Sequence, residues 1–138
     1  MEASIVITTK NRKEELRQAL LSCRTQSHVA EVLVLDDAST DGTSEMLREE
    51  FPEVKVERTE ESAGLIVQRN KGAKLAKGDV IFSLDDDAEF SHPDVVADTL
   101  AYPGQGAAQG ASLDYPGGAR LHSHRAAEYR GRRRGQSR

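Results

Sequence analysis

Two groups of carboxylates in this chain follow directly on apolar runs. Asp85-Asp86-Asp87 comes after Val80-Ile81-Phe82-Ser83-Leu84, and Asp36-Asp37 comes after Val32-Leu33-Val34-Leu35. Adjacent carboxylates repel one another and resist joint ionisation. Nothing beside Asp85-Asp86-Asp87 in the sequence relieves that repulsion. A divalent cation does relieve it, because Asp oxygens are hard ligands suited to Mg²⁺ or Mn²⁺. Three acids in a row also read as a solvated turn, and both readings stand at this point. One acidic strand end is easily explained as a turn; two are harder.

The elements that position these acids follow from the apolar pattern. Each run has the length and composition of a strand buried on both faces of a parallel sheet. Acids at its end lie at the sheet's carboxyl edge, where open α/β sheets bind ligands. Ser4-Ile5-Val6-Ile7-Thr8-Thr9 is β-branched almost throughout and predicts a first strand. Asn11 and Glu14 have capping-box spacing ahead of a helix whose inner face is Leu16, Ala19, Leu20 and Cys23. Cys23 reads as a small core residue. A second helix spans Thr43 to Glu50, with Met46, Leu47 and Phe51 inside and Pro52 as its stop. Val54 to Arg58 alternates with period two and predicts a short strand near an edge.

A third helix is expected from Ser62 to Lys77, ending at Gly78. Gly72 in its middle points to close approach of another backbone or a ligand. Pro93 opens a last short helix, Asp94 to Leu100. The order β-α-β-α-β-α-β implies an α/β fold, Rossmann-like, with a mostly parallel sheet flanked by helices.

Composition divides the chain. It has 138 residues and a formal net charge of −4, enough for one domain. Residues 1–103 are net −9 and patterned, while residues 104–138 are net +5 and carry seven Arg but no Lys. Cys23 is the sole cysteine, which suggests a reducing compartment. No stretch has the form of a signal peptide or the roughly 18–20 apolar residues of a membrane span. A cytoplasmic protein is expected, with peripheral membrane contact through a partner left open.

The body resembles the amino-terminal half of a family 2 glycosyltransferase of the GT-A fold. Four pieces carry the resemblance in order: Ser4 to Asn11, Val34-Leu35-Asp36-Asp37-Ala38-Ser39-Thr40-Asp41-Gly42-Thr43, Arg69-Asn70-Lys71-Gly72, and Gly78-Asp79 through Asp87. It covers residues 4 to about 100. The resemblance implies a UDP- or dTDP-sugar donor, an inverting reaction, and a carbohydrate or lipid-linked acceptor. It implies that Thr8 and Asp37 hold the base and ribose, with Asp36 beside them. It implies that Asp85 and Asp87 form the family's D-x-D. Asp87 is then the direct ligand of Mg²⁺ or Mn²⁺, and Asp85 stands nearer the ribose or the metal's waters. Arg69 is a candidate for the diphosphate or equally a surface cation. Lys10 stands where many members have a base-stacking aromatic, and it has the reach to meet a phosphate instead.

The resemblance also implies a second half with a carboxylate base that must reach the acceptor hydroxyl. Only Asp114 and Glu128 remain after residue 98, and neither sits in a matching segment. The expected organisation is a truncated nucleotide-sugar-binding domain over 1–100 and a low-complexity Gly/Ala/Arg tail over 101–138, disordered for want of apolar residues. His122-Ser123-His124 is a weak metal pattern, and the closing arginines fit nonspecific polyanion contact rather than a specific nucleic-acid site. The tail's composition also fits GC-rich codons read out of frame. Three readings follow: a transferase, a fragment that binds nucleotide and metal without transferring, or a remnant with a bare sheet edge. A receiver-type domain competes at the level of fold, but its first strand ends in paired acids where this one ends in Thr8-Thr9.

Overall fold

The computed structural model of the chain describes residues 1–101. Four strands and four helices alternate: β1 Ala3–Thr9, α1 Lys13–Arg24, β2 Val29–Asp37, α2 Thr43–Glu50, β3 Lys55–Thr59, α3 Leu65–Leu75, β4 Val80–Asp85 and α4 Val95–Ala101. The strands form one parallel sheet in the order β3-β2-β1-β4. The exposed β3 is one edge, as its weak alternation predicts. Among the described residues β4 is the other. No helix among them is long and apolar enough to cross a membrane.

Period-two alternation sends successive side chains to opposite faces of this sheet. Ile5, Ile7, Val34, Phe82 and Leu84 join a core with Leu16, Ala19 and Leu20 of α1, Met46 and Leu47 of α2, and Val95 and Val96 of α4. Val6, Leu33 and Leu35 lie on the other face, where α3 packs. Gly72 is what lets α3 come this close. A Cβ built there would lie 2.5 Å from Val6 Cγ1 and 2.9 Å from Leu35 Cδ2. The close approach expected at Gly72 is therefore to sheet side chains, and not to a backbone or a ligand. Cys23 is buried in the first core, and burial pushes its thiol up to about 12.

Two local expectations fail for one reason, namely that carboxyl-edge loops of neighbouring strands hold each other. Asn11 does not cap α1. It adopts a positive φ of 52°, and its Oδ1 accepts from the Thr40 amide at 2.7 Å. The first amide of α1, on Lys13, donates instead to Asp41 Oδ2 at 3.0 Å, and Glu14 pairs with Arg17. Likewise α3 begins at Leu65 and not at Ser62, because Asp37 engages the loop ahead of it. At its other end α3 stops at Leu75. The Lys77 amide then donates to Glu31 Oε1 at 2.5 Å and that of Gly78 to Ser4 Oγ at 2.8 Å.

Candidate functional site

Thr8 of β1 pairs in register with Leu35 of β2 on one side and Asp85 of β4 on the other. The ends of β2 and β4 are thus two strand spacings apart, about 10 Å. Between them opens a cleft of about 550 Å³ whose lining includes Asp37, Asp85, Asp86 and Asp87. Hydrogen bonds divide its wall into two ends.

At the first end stands Asp37, buried at the last position of β2. Its Oδ1 accepts from the Ala63 amide at 2.7 Å, Gln68 Nε2 at 2.8 Å and, more weakly, Thr59 Oγ1 at 3.4 Å. Its Oδ2 accepts from Ser62 Oγ at 2.7 Å and the Gly64 amide at 3.2 Å. Burial opposes the charge, but these donors together outweigh it and hold the carboxyl well below the usual carboxylate range. Gly64 has φ of +90°, a conformation that suits glycine and turns its amide into this ring of donors. Lys10, just past the end of β1, reaches across, with Nζ 3.1 Å from Ser62 Oγ.

At the second end, Asp85-Asp86-Asp87 forms a turn closed by the Ala88 amide on Asp85 O. The repulsion among these acids is relieved by two arginines distant in sequence. Arg69 NH2 lies 2.9 Å from Asp85 Oδ1. Arg12 lies 3.5 Å from Asp86 and 3.4 Å from Asp87. The middle residue is tucked in: Asp86 is buried and accepts from Thr9 Oγ1 at 3.0 Å. Burial raises its carboxyl above the ordinary value despite Thr9 and Arg12, and Asp87 and Asp85 add to the rise. The outer two stay accessible, with Asp85 40% and Asp87 54% exposed in their side chains.

Among the described residues, no three His, Cys, Asp or Glu side chains converge as a complete metal cage. Two accessible carboxylates still fit Mg²⁺ or Mn²⁺, since such ions keep several waters and take further oxygens from phosphate.

Thr8, Asp37, Arg69, Asp85 and Asp87 therefore line one cleft. Asp36 does not join them. It is fully buried, salt-bridged to Arg58 at 3.1 Å, and accepts from the Ser39 amide at 3.1 Å. Adjacent strand side chains face opposite ways, and that of Asp36 turns to Arg58 and the Ser39 amide while that of Asp37 lies on the cleft. Lining residues that the sequence reading missed include Thr9, Arg12, Ser62, Gln68 and Asp86. A usable signal existed for Gln68. It precedes Gly72 by four residues and so shares the sheet-facing side of α3.

Comparison with known proteins agrees with this architecture. The family model described as "Glycosyl transferase family 2" matches residues 4–136. That match runs past residue 101, into the stretch expected to be a tail. The tail, with His122-Ser123-His124 and the closing arginines, lies outside the described residues. An uncharacterized glycosyltransferase of Bacillus subtilis, YfnE, is 37% identical over 92 residues, covering 63% of this chain and 23% of the relative. The putative teichuronic acid biosynthesis glycosyltransferase TuaG of the same organism is 34% identical, covering 63% of this chain and 36% of TuaG. Among solved structures, S. aureus TarS 1-349 in complex with UDP-GlcNAc superposes with a TM-score of 0.66 at 27% identity, over 73% of this chain and 30% of TarS. The Pyrobaculum calidifontis mannosyltransferase PcManGT, in complex with GDP-Man and Mn²⁺, gives 0.63 at 26% identity, over 74% of this chain and 33% of that one. The chain thus spans between about a quarter and a third of the length of these relatives. With the family model matched along nearly all of its length, this chain belongs to glycosyl transferase family 2.

Proposed function

We propose that the cleft binds a UDP- or dTDP-sugar and that the chain serves transfer of the sugar to a hydroxyl of a carbohydrate or lipid-linked acceptor. One observation carries this reading. A single cleft has an end ringed by hydrogen-bonding groups around Asp37 and an end where two arginines stand beside three acids. A nucleoside suits the first end, and a diphosphate with its counter-cation suits the second. In this reading Thr8 and the Asp37 ring hold the base and ribose. Arg69 and Arg12 face the diphosphate. Asp85 lies towards the ribose or the cation's waters, and Asp87 is the direct ligand of Mg²⁺ or Mn²⁺. Asp36 serves indirectly, by fixing Arg58 and the β2–α2 loop.

The chemistry is a displacement. The acceptor oxygen forms a bond to the anomeric carbon as the bond from that carbon to the diphosphate oxygen breaks. The electron pair leaves on the diphosphate, the hydroxyl proton passes to a general base, and the anomeric centre inverts. The cation, when bound, supplies charge against the departing diphosphate. Arg69 and Arg12 act in the same sense, as preorganised positive groups beside the developing negative charge. We place the chain in the cytoplasm, peripheral to the membrane where the acceptor is lipid-linked.

Every carboxylate lining the cleft among the described residues is already hydrogen-bonded or ion-paired, so none stands free as the base for an acceptor hydroxyl. That favours a second reading, in which the chain binds nucleotide and cation without transferring alone. Calorimetric titration with UDP and Mn²⁺ tests what both share. One Mn²⁺-dependent UDP per chain is expected, and no uptake overturns both. Release of UDP from UDP-sugars, with and without acceptor, then separates them.

A further inference from the structure

We propose that the outward face of α3 docks on an anionic lipid surface, with Ile66 and Val67 entering the headgroup layer and Lys74 and Lys77 lying over the phosphates. This gives the peripheral placement above a surface, and it is independent of the nucleotide reading of the cleft. α3 is built the other way round from α1 and α2. Those helices bury apolar side chains, among them Leu16, Ala19 and Leu20 in α1 and Met46 and Leu47 in α2. The buried residues of α3 are Gln68 and Gly72. Its apolar residues are outside: Ile66 is 75% exposed, Val67 53% and Leu65 51%. Two residues along a helix is a turn of about 200°. Ile66, Asn70 and Lys74, each two from Gln68 or Gly72, therefore point away from the sheet, and all three are exposed.

Single exposed apolar residues are ordinary, whereas contiguous ones mark interaction surfaces. Charge selects the partner. Residues 62–78 contain Arg69, Lys71, Lys74 and Lys77 and no acid, within a body of net −9. Arg69 is engaged by Asp85, and Lys71 by Glu57 at 3.8 Å. Lys74 and Lys77 are exposed and form no ion pair among the described residues. An acidic protein that sets free cations beside exposed apolar side chains matches a surface with an apolar interior and an anionic rim. A bilayer with anionic headgroups is such a surface. A second copy of the chain brings the same cations to the contact, and like charges then meet. A nucleic acid meets the lysines but leaves Ile66 and Val67 in water. Leu65 lines the cleft and Ile66 and Val67 follow it outside, so docking sets the mouth of the cleft at headgroup level, where a lipid-linked acceptor presents its hydroxyl.

The test is partition of the full chain between buffer and vesicles, made of phosphatidylcholine or of its equal mixture with phosphatidylglycerol. Wild type is expected to bind the mixed vesicles about tenfold more tightly than the neutral ones. Ile66→Ser, at a site the fold does not bury, lowers affinity for the mixed vesicles about tenfold by removing one inserted side chain. Lys74→Gln lowers it about fivefold and leaves binding to neutral vesicles unchanged. The chain has no Trp, so Ile66→Trp supplies a single reporter whose emission shifts to the blue on mixed vesicles. Leu21→Trp, at an exposed position of α1 on the other side of the sheet, shows no shift. Vesicle binding that Ile66→Ser leaves unchanged belongs to the arginines of residues 104–138 and overturns the proposal. An unshifted emission from Ile66→Trp overturns it as well. So does the absence of vesicle binding, and a chain that is then dimeric in wild type and monomeric in Ile66→Ser has a second copy on this face. Uptake of UDP with Mn²⁺, read by calorimetry, stands or falls apart from all of these results.

Discussion

Asp37 and Asp87 bring the same side chain to the carboxyl edge of the same sheet, and they end up in opposite conditions. Asp37 is buried and takes donors from Ser62, Ala63, Gly64 and Gln68. Asp87 is half exposed and has one arginine at 3.4 Å. The first carboxylate organises the protein around itself. It shortens α3 at its start, sets the path of the 62–64 loop and orients Gln68. The second is left with most of its oxygen lone pairs available. A site that must bind a ligand of mixed character needs both kinds of end, one rigid and one still open to new partners.

The largest expected effect tests the rigid end. Asp37→Ala strips the acceptor from two loop amides, the Gln68 amide and two hydroxyls, several of them buried. A loss of about 3 kcal/mol in urea unfolding follows, or roughly 15 °C in Tm. Acid sharpens the same point. The folded carboxyl is held below its ordinary value, so on acidification the unfolded chain takes up this proton first. The stabilisation is whole above the unfolded value of about 3.9 and is lost as pH falls below it towards the folded value. Asp37→Asn is expected to flatten that part of the stability profile. If Asp37→Ala costs no more than a surface substitution, the distinction between the two ends disappears.

Much of this was legible before any coordinates. The alternation of Ile5, Val6 and Ile7 fixed a two-faced strand, and the bounds of α2 fell at Thr43 and Glu50 as its apolar spacing predicts. What escaped was non-local. Asn11 with Glu14 has the spacing of a cap, but spacing cannot register that Asp41, 28 residues on, offers a better acceptor to Lys13. The arginines that offset Asp85-Asp86-Asp87 arrive from 16 and 75 residues away. The turning of Asp36 away from Asp37 was available in principle, since successive strand side chains face opposite sides of a sheet.

A smaller effect tests the element that serves both ends. α3 delivers Gln68 to Asp37 and Arg69 to Asp85, and Gly72 sets how close it lies to the sheet. Gly72→Ala gains up to about 1 kcal/mol of helix propensity but forces Val6 and Leu35 aside at a cost of about 1–3 kcal/mol. A net loss of roughly 1 kcal/mol is expected from these two terms. Gln68 is boxed in and Arg69 can re-extend through water, so the amide hydrogen-exchange protection of Ala63 and Gly64 should fall before the Arg69 contact is lost. A gain in stability on Gly72→Ala would mean that the helix is not pinned as described.

The smallest stability effect belongs to Asp87. Its exposure and its single arginine contact give the fold little to lose, because exposed ion pairs contribute between nothing and about 1 kcal/mol. Asp87→Ala should therefore unfold within about 0.5 kcal/mol of wild type. Arg12 keeps Asp86 as a partner in this variant, so no buried charge is left alone. Binding should respond in the opposite proportion, with Mn²⁺-dependent uptake of UDP lost and whatever UDP binding needs no metal retained. Urea unfolding and calorimetry on the same preparation read the two quantities together. A variant that still takes up UDP in a Mn²⁺-dependent way removes Asp87 from the metal site. One that unfolds as readily as Asp37→Ala shows that both strand ends are structural, and the open end of the cleft is then no more available to a ligand than the closed one.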